Sequence, residues 1–84
     1  ETTPDNGLLN YSLASAFERA GHLNSAIEKF QQVASNRENY THIQANAWFR
    51  LGRLSSGNQR EQFLHNCLEL NSGHGEAKKL LKET

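Results

Sequence analysis

The sequence has no methionine, one cysteine, one proline and one tryptophan among 84 residues. Each shortage excludes something. A lone cysteine, Cys67, cannot form an internal disulfide; it reads as a small apolar core residue and fits a reducing compartment, which favours the cytoplasm. The only proline is Pro4, so nothing after the first few residues breaks a helix. With one valine and two isoleucines, β-branched residues are too sparse for a sheet, and the composition points to an all-helical chain. With no methionine even at position 1, the sequence reads as an excised or processed fragment of something longer. No apolar run approaches the roughly 20 residues that span a bilayer, and no basic start with an apolar core marks a signal peptide.

Charge of one sign is also missing. Nine Lys and Arg balance nine Asp and Glu, so the basic excess of a nucleic-acid-binding surface is absent. No GxSxG, HExxH or phosphate-loop pattern occurs. His22, His42, His65 and His74 are scattered, no pair having i, i+4 spacing, and one thiol cannot build a metal cluster. Gly73 and Gly75 flank His74 in a turn with no strand before it, which gives little support to a phosphate cradle. The expectation is a chain that is not an enzyme and takes no cofactor or metal.

What is present is helical periodicity. Five segments are expected. The first spans about Gly7 to Ala20, with Leu9, Leu13, Ala16, Phe17 and Ala20 on one stripe and Asp5 or Asn6 as cap. Gly21 suits the left-handed position that ends many helices. The second spans about Ser25 to Ser35, capped by Asn24, with Leu23, Ala26, Ile27, Phe30, Val33 and Ala34 facing inward. The third, about His42 to Leu54, opens on "THIQ", a reciprocal capping pattern of Thr41 and Gln44, and buries Ile43, Ala47, Trp48, Leu51 and Leu54. The fourth, about Gln59 to Leu70, repeats that pattern with Asn58 and Glu61 and carries Phe63, Leu64, Cys67, Leu68 and Leu70. "EAKKLLKE" makes a short fifth, with Ala77, Leu80 and Leu81 inward. Helices this short must pack as antiparallel hairpins to hold their shape.

The stretch "LASAFERAGHLNSAIEKFQQVAS" resembles a tetratricopeptide repeat: Leu13 and Ala14 stand in its leucine and small-residue places, Phe17 in its first-helix aromatic place, Gly21 at its turn, and Ala26, Phe30 and Val33 on its second-helix stripe. Its late proline is missing, with Glu38 near that place. In "AWFRLG", Trp48, Leu51 and Gly52 are similar to the start of a second repeat; "CLELNS" and "GEAKKLL" resemble an ending and a further first helix. Asn10 to Trp48 is 38 residues, whereas Asn24 to Asn58 is 34, against a period of about 34. The third helix thus gains a turn at its start and loses about one at its end, where Gly57 stops it. Gly52 takes the place of Ala14, and the expectation is that it lets the following helix approach closely.

The expected architecture is therefore all-α: a lead at 1–6, hairpins at 7–36 and 41–71, and a capping helix at 74–84, stacked as a short α-solenoid. The resemblance implies a binding scaffold whose concave face, lined by first helices, takes a partner's peptide or helix. The residues left off the core stripes there are Tyr11, Ser15, Glu18 and Arg19 on the first helix and Asn46, Arg50 and Arg53, at i, i+4 and i+7, on the third. Of these, Tyr11, Ser15, Arg19, Asn46, Arg50 and Arg53 are the candidate binding residues. Paired arginines can hold a carboxylate or phosphate. Phe49 borders them as a large apolar residue with no obvious room in the core. The expected partner is a protein or peptide, carboxylate-bearing by this chemistry; amphipathic helices also carry such faces merely as solvated surface. The family's clamp for acidic chain ends uses Lys and Asn where this chain has Tyr11 and Ser15, which disfavours a chaperone-tail role. Two alternatives stand beside this reading: a self-associating or spacer segment, hence a homo-oligomer, and a helical accessory to an enzyme of glycosyltransferase type.

Overall fold

The structure is a computed structural model and describes residues 7–83. Five α-helices account for its regular structure: α1 Gly7–Ala20, α2 Leu23–Ser35, α3 Thr41–Leu54, α4 Gly57–Leu70 and α5 Gly75–Lys82. The expected caps Asp5 and Asn6 and the expected lead at 1–6 lie outside the described residues. Among the described residues no helix is long and apolar enough to cross a membrane, and no group of His, Cys, Asp and Glu could hold a metal ion.

The chain is all-α, folded as antiparallel hairpins. Each helix packs on its neighbours in sequence, and α3 also meets α1 and α5, while α2 and α4 do not meet. That places α1, α3 and α5 in one layer and α2 and α4 in the other. The result is an elongated stack of 44 × 28 × 17 Å with α3 at its centre. Two clusters make up the core. One joins α1, α2 and α3 through Ala14, Ala26, Phe30, Val33, Ala47 and Leu51. The other joins α3, α4 and α5 through Ala45, Phe49, Leu64, Cys67 and Ala77.

Gly52 sits where α3 and α4 come closest. A Cβ on it would lie 2.8 Å from Leu64 Cδ2 and 2.9 Å from Leu64 Cγ. The side chain it lacks is therefore what lets Leu64 seat fully buried against α3. Gly21 (φ +87°) ends α1, as its left-handed role requires; His22 N–H donates to the Phe17 carbonyl at 2.9 Å and closes the last turn. Gly57 (φ +62°) does not stop α3 as expected: α3 ends at Leu54 with Ser55 as its cap, and Gly57 is the first residue of α4.

Helix ends depart from expectation. The first residue of α2 is Leu23, so Asn24 lies inside it; His22 stands at the cap without a side-chain bond. Neither Thr41 nor Asn58 caps: the cap positions of α3 and α4 are Tyr40 and Ser56, again without side-chain bonds. Gln44 instead turns inward, 7% exposed, and its Nε2 donates to the Ala34 carbonyl at 3.0 Å, tying α3 to the end of α2. Burial explains the choice, since that carbonyl would otherwise lose its water partner without gaining another. At the end of α3, Arg60 Nε reaches back to the Gly52 and Ser55 carbonyls at 3.1 and 2.9 Å.

The apolar stripe expected to bury α1 does not. Leu9 is 65% and Leu13 40% exposed, and Ala16 and Ala20 are exposed too; only Phe17 of the five is half-buried. The helix turns Ala14, Ser15 and Tyr11 inward instead. An end helix of a stack has neighbours on one side only, so its second apolar face stays open.

Candidate functional site

On α3 successive residues step about 100° around the axis, so Asn46, Arg50 and Arg53 share one side while Gln44 and Trp48 point the opposite way. The first side faces the α1–α3–α5 layer. There Arg50 Nη1 donates to Glu18 Oε1 at 3.0 Å, and Arg53 Nη2 donates to Glu18 Oε2. One carboxylate on α1 is thus bridged by two guanidiniums on α3. The side chain of Glu18 is 16% exposed, that of Arg50 29% and that of Arg53 44%, so the acid lies deepest and Arg53 reaches solvent.

Aromatic rings flank the cluster. The Arg50 guanidinium lies over the Tyr11 ring at 5.7 Å, and Tyr11 in turn meets Phe30 edge-on at 5.4 Å. Arg53 lies over Phe49 at 5.9 Å. Such stacking holds a planar guanidinium in place while leaving some N–H groups outward. Beyond Phe49, His74 starts α5. Ala77 N–H donates to His74 Nδ1 at 3.1 Å, so the ring proton sits on Nε2, which donates to Asn46 Oδ1 at 3.0 Å. The His74 ring also packs on Phe49, centroids 5.0 Å apart. A shallow recess of about 310 Å³ next to this edge is lined by Phe49, Arg53, Glu76, Lys79, Leu80 and Glu83.

Tyr11, Asn46, Phe49, Arg50 and Arg53 are therefore brought together. Ser15 and Arg19 are not part of the cluster: Ser15 is 9% exposed, and Arg19 stands in solvent without contact to the others. Phe49 is a correction. It has room in the core after all, 8% exposed against Leu64, Cys67 and Ala77, because α5 closes over it. The arginines do not stand open as a pair either: Arg50 and Arg53 already hold the Glu18 carboxylate. Two further residues belong to the site: Glu18, which the sequence places off the core stripe of α1 but not in contact with the arginines, and His74. Glu18 lies seven residues after Tyr11, on the same face of α1, which was the available signal; His74 carried none, since a cap acting across two helices depends on tertiary placement.

On the far side of α3 a second concavity, about 550 Å³, opens between α2 and α4. Gln44 and Trp48 line it with Arg37, Asn66, Glu69 and Leu70. Burial pushes the Cys67 thiol up to about 11, so this buried cysteine is a neutral packing residue.

No family model, curated protein or solved structure matches this chain.

Proposed function

We propose that this chain is a protein-interaction module that receives a peptide or helix of a partner on the face formed by α1, α3 and α5. The observation that carries the reading is the convergence of Arg50 and Arg53 on Glu18. Two cations meet one anion, so the cluster keeps one positive charge, and the half-exposed Arg53 presents it. Arg50, held by Glu18 and Tyr11, positions the acid rather than the ligand. Arg53, backed by Phe49 and bordering the recess toward α5, is the group that an acidic side chain or chain-terminal carboxylate would meet. The tetratricopeptide resemblance supports the same layer of first helices as the binding face.

The test is selection from a random peptide library displayed on phage against the immobilised chain. Bound peptides should share an acidic residue or depend on a free C-terminal carboxylate. Arg53→Ala should weaken their binding by roughly tenfold, the effect of losing one charged hydrogen bond of about 1.5 kcal/mol. Selected peptides with no acidic preference, or full binding by Arg53→Ala, would remove the assignment.

A further inference from the structure

The concavity between α2 and α4, which do not meet, carries polar groups that the fold leaves unmet. Gln44 is 7% exposed, and its Nε2 donates to the Ala34 carbonyl at 3.0 Å. A carbonyl can be met only by the nitrogen end of an amide, so Oε1 is the end left over. Oε1 takes no hydrogen bond among the described residues. Nor is any buried side-chain oxygen or nitrogen among them enclosed without a partner. Oε1 therefore opens onto the surface that Gln44 lines, which is this concavity. On the α4 wall, Asn66 gives its Oδ1 to Gln62 at 3.2 Å and keeps its amide nitrogen to donate. Trp48 lines the same concavity, half-buried and stacked on Phe63 with ring centroids 5.7 Å apart. An acceptor, a donor and a partly open aromatic ring thus border one space of about 550 Å³, a size at which ligand sites are found.

We propose that this concavity binds a short, uncharged, extended segment of a partner protein, chiefly through the segment's main chain. A helix meets its own N–H and C=O groups internally, whereas an extended chain presents them. A free amide oxygen on Gln44 and a free amide nitrogen on Asn66 are the complement of such exposed peptide groups. Volume sets the length. One turn of helix, about 10–12 Å across and about 5.4 Å long, fills roughly 500 Å³, so the space takes no more than a single helical turn. Drawn out at about 3.3 Å each, the same three or four residues span roughly 13 Å. Charge sets the side chains. Arg37 stands just past the end of α2 and Glu69 on α4, so this space carries one cation and one anion and no net charge. Neutral side chains fit it best, with Trp48 and Leu70 as their apolar contacts. The site lies across α3 from Arg53 and does not rest on the peptide reading of that other face.

Trp48 is the only tryptophan in the sequence, so its emission reports on this site. The whole chain is titrated with acetylated, amidated tetrapeptides of Ala, Leu and Ser up to about 10 mM, for a dissociation constant on the order of 1 mM. A saturable change in Trp48 emission is expected. Asn66→Asp still accepts from Gln62 but cannot donate; it should weaken binding by roughly fivefold with an unchanged melting temperature. Gln44 cannot be replaced without freeing the Ala34 carbonyl, so its part is read from the ligand. Exchanging each peptide N–H in turn for an ester oxygen should weaken binding by roughly fivefold at one position. No response of Trp48, or full binding by Asn66→Asp, would overturn the proposal. Esters that all bind as well as the amides would mean an occupant held by side chains alone, and would overturn it too. So would acidic or basic tetrapeptides that bind more tightly than the neutral ones. Loss of binding in Arg53→Ala would place the tetrapeptides on the opposite face, a failure of this site and not of the α1–α3–α5 reading. Library peptides that depend on Arg53 should in turn be indifferent to Asn66→Asp.

Discussion

Glu18 and Arg50 stand 32 residues apart in the chain and 3.0 Å apart in the fold, joining α1 directly to α3. The α1–α3 contact is otherwise narrow, because α1 packs chiefly on α2 and α3 on α4 and α2. Replacing Glu18 by Gln keeps the shape, removes the charge and leaves Arg50 and Arg53 facing each other. A loss of about 1 kcal/mol is expected, more than an exposed pair provides and less than a fully buried one. Urea unfolding of Glu18→Gln, Arg50→Ala and the double variant checks it. A coupling of roughly 0.5 kcal/mol or more between the two sites is the expected outcome, and strict additivity would show that the bridge does not hold the hairpins together.

Gly52 gives an outcome whose sign depends on Leu64. In an open helix, Gly→Ala stabilises by about 1 kcal/mol. Here the new methyl would sit under 3 Å from Leu64, whose side chain is fully buried and has nowhere to go. Gly52→Ala should therefore destabilise, by up to about 2 kcal/mol after the helical gain is subtracted from overpacking of about 1–3 kcal/mol. Against a Leu64→Ala background the clash is gone and Gly52→Ala should stabilise. Thermal melts of the four variants read the reversal directly.

How far the sequence carries can be seen helix by helix. The apolar period of α2 and α3 locates their buried faces well, because helices in the middle of a stack have their apolar sides covered; the exception is Leu23, expected inward but 47% exposed at the open start of α2. The period fails on α1, where Leu9 and Leu13 form the stronger stripe and the small residues Ala14 and Ser15 nevertheless face inward. Size, not hydrophobicity, decides which side of an end helix can approach its neighbours. The off-stripe arginines of α3 and Glu18 of α1 are each legible as polar residues outside the core, but their pairing is not, since Glu18 reaches the arginines only across the hairpin stack. Cap patterns fail for a related reason. "THIQ" is a sound local rule, yet Gln44 finds a buried carbonyl on α2 and tertiary demand wins over the end of its own helix.

Cys67 sets an alkaline limit. Its thiol is raised from 9.0 to about 11 by burial, so the folded state holds the proton more tightly than the unfolded state. The sign follows: this contribution to stability is fully present below about pH 9 and is lost as pH climbs toward 11. Comparison with Cys67→Ala isolates it from other alkaline titrations. The melting-temperature advantage of the parent over the variant should be constant from pH 6 to 8, about neutrality, and should shrink between pH 9 and 11. A disulfide-exchange reagent at pH 8 should accordingly modify Cys67 only as fast as the chain opens.

His74 makes the first turn of α5 depend on α3. Its Nδ1 caps the Ala77 amide while Nε2 holds Asn46 and the ring covers Phe49. His74→Ala removes all three contacts and should cost about 1 kcal/mol from the cap alone. His74→Asn supplies a good cap but neither the ring nor the reach to Asn46. Amide exchange of α5 separates these contributions, since α5 is short and tied to the rest chiefly through α4 and this corner. The Ala variant should raise exchange in α5 by roughly fivefold for each kcal/mol lost, with the amides of α2 unchanged. The Asn variant should restore protection at the first turn only, leaving Phe49 more open to solvent, which ring resonances of Phe49 would report. Equal protection of α5 in both variants and the parent would mean that Ala77 and Leu80 hold the helix unaided.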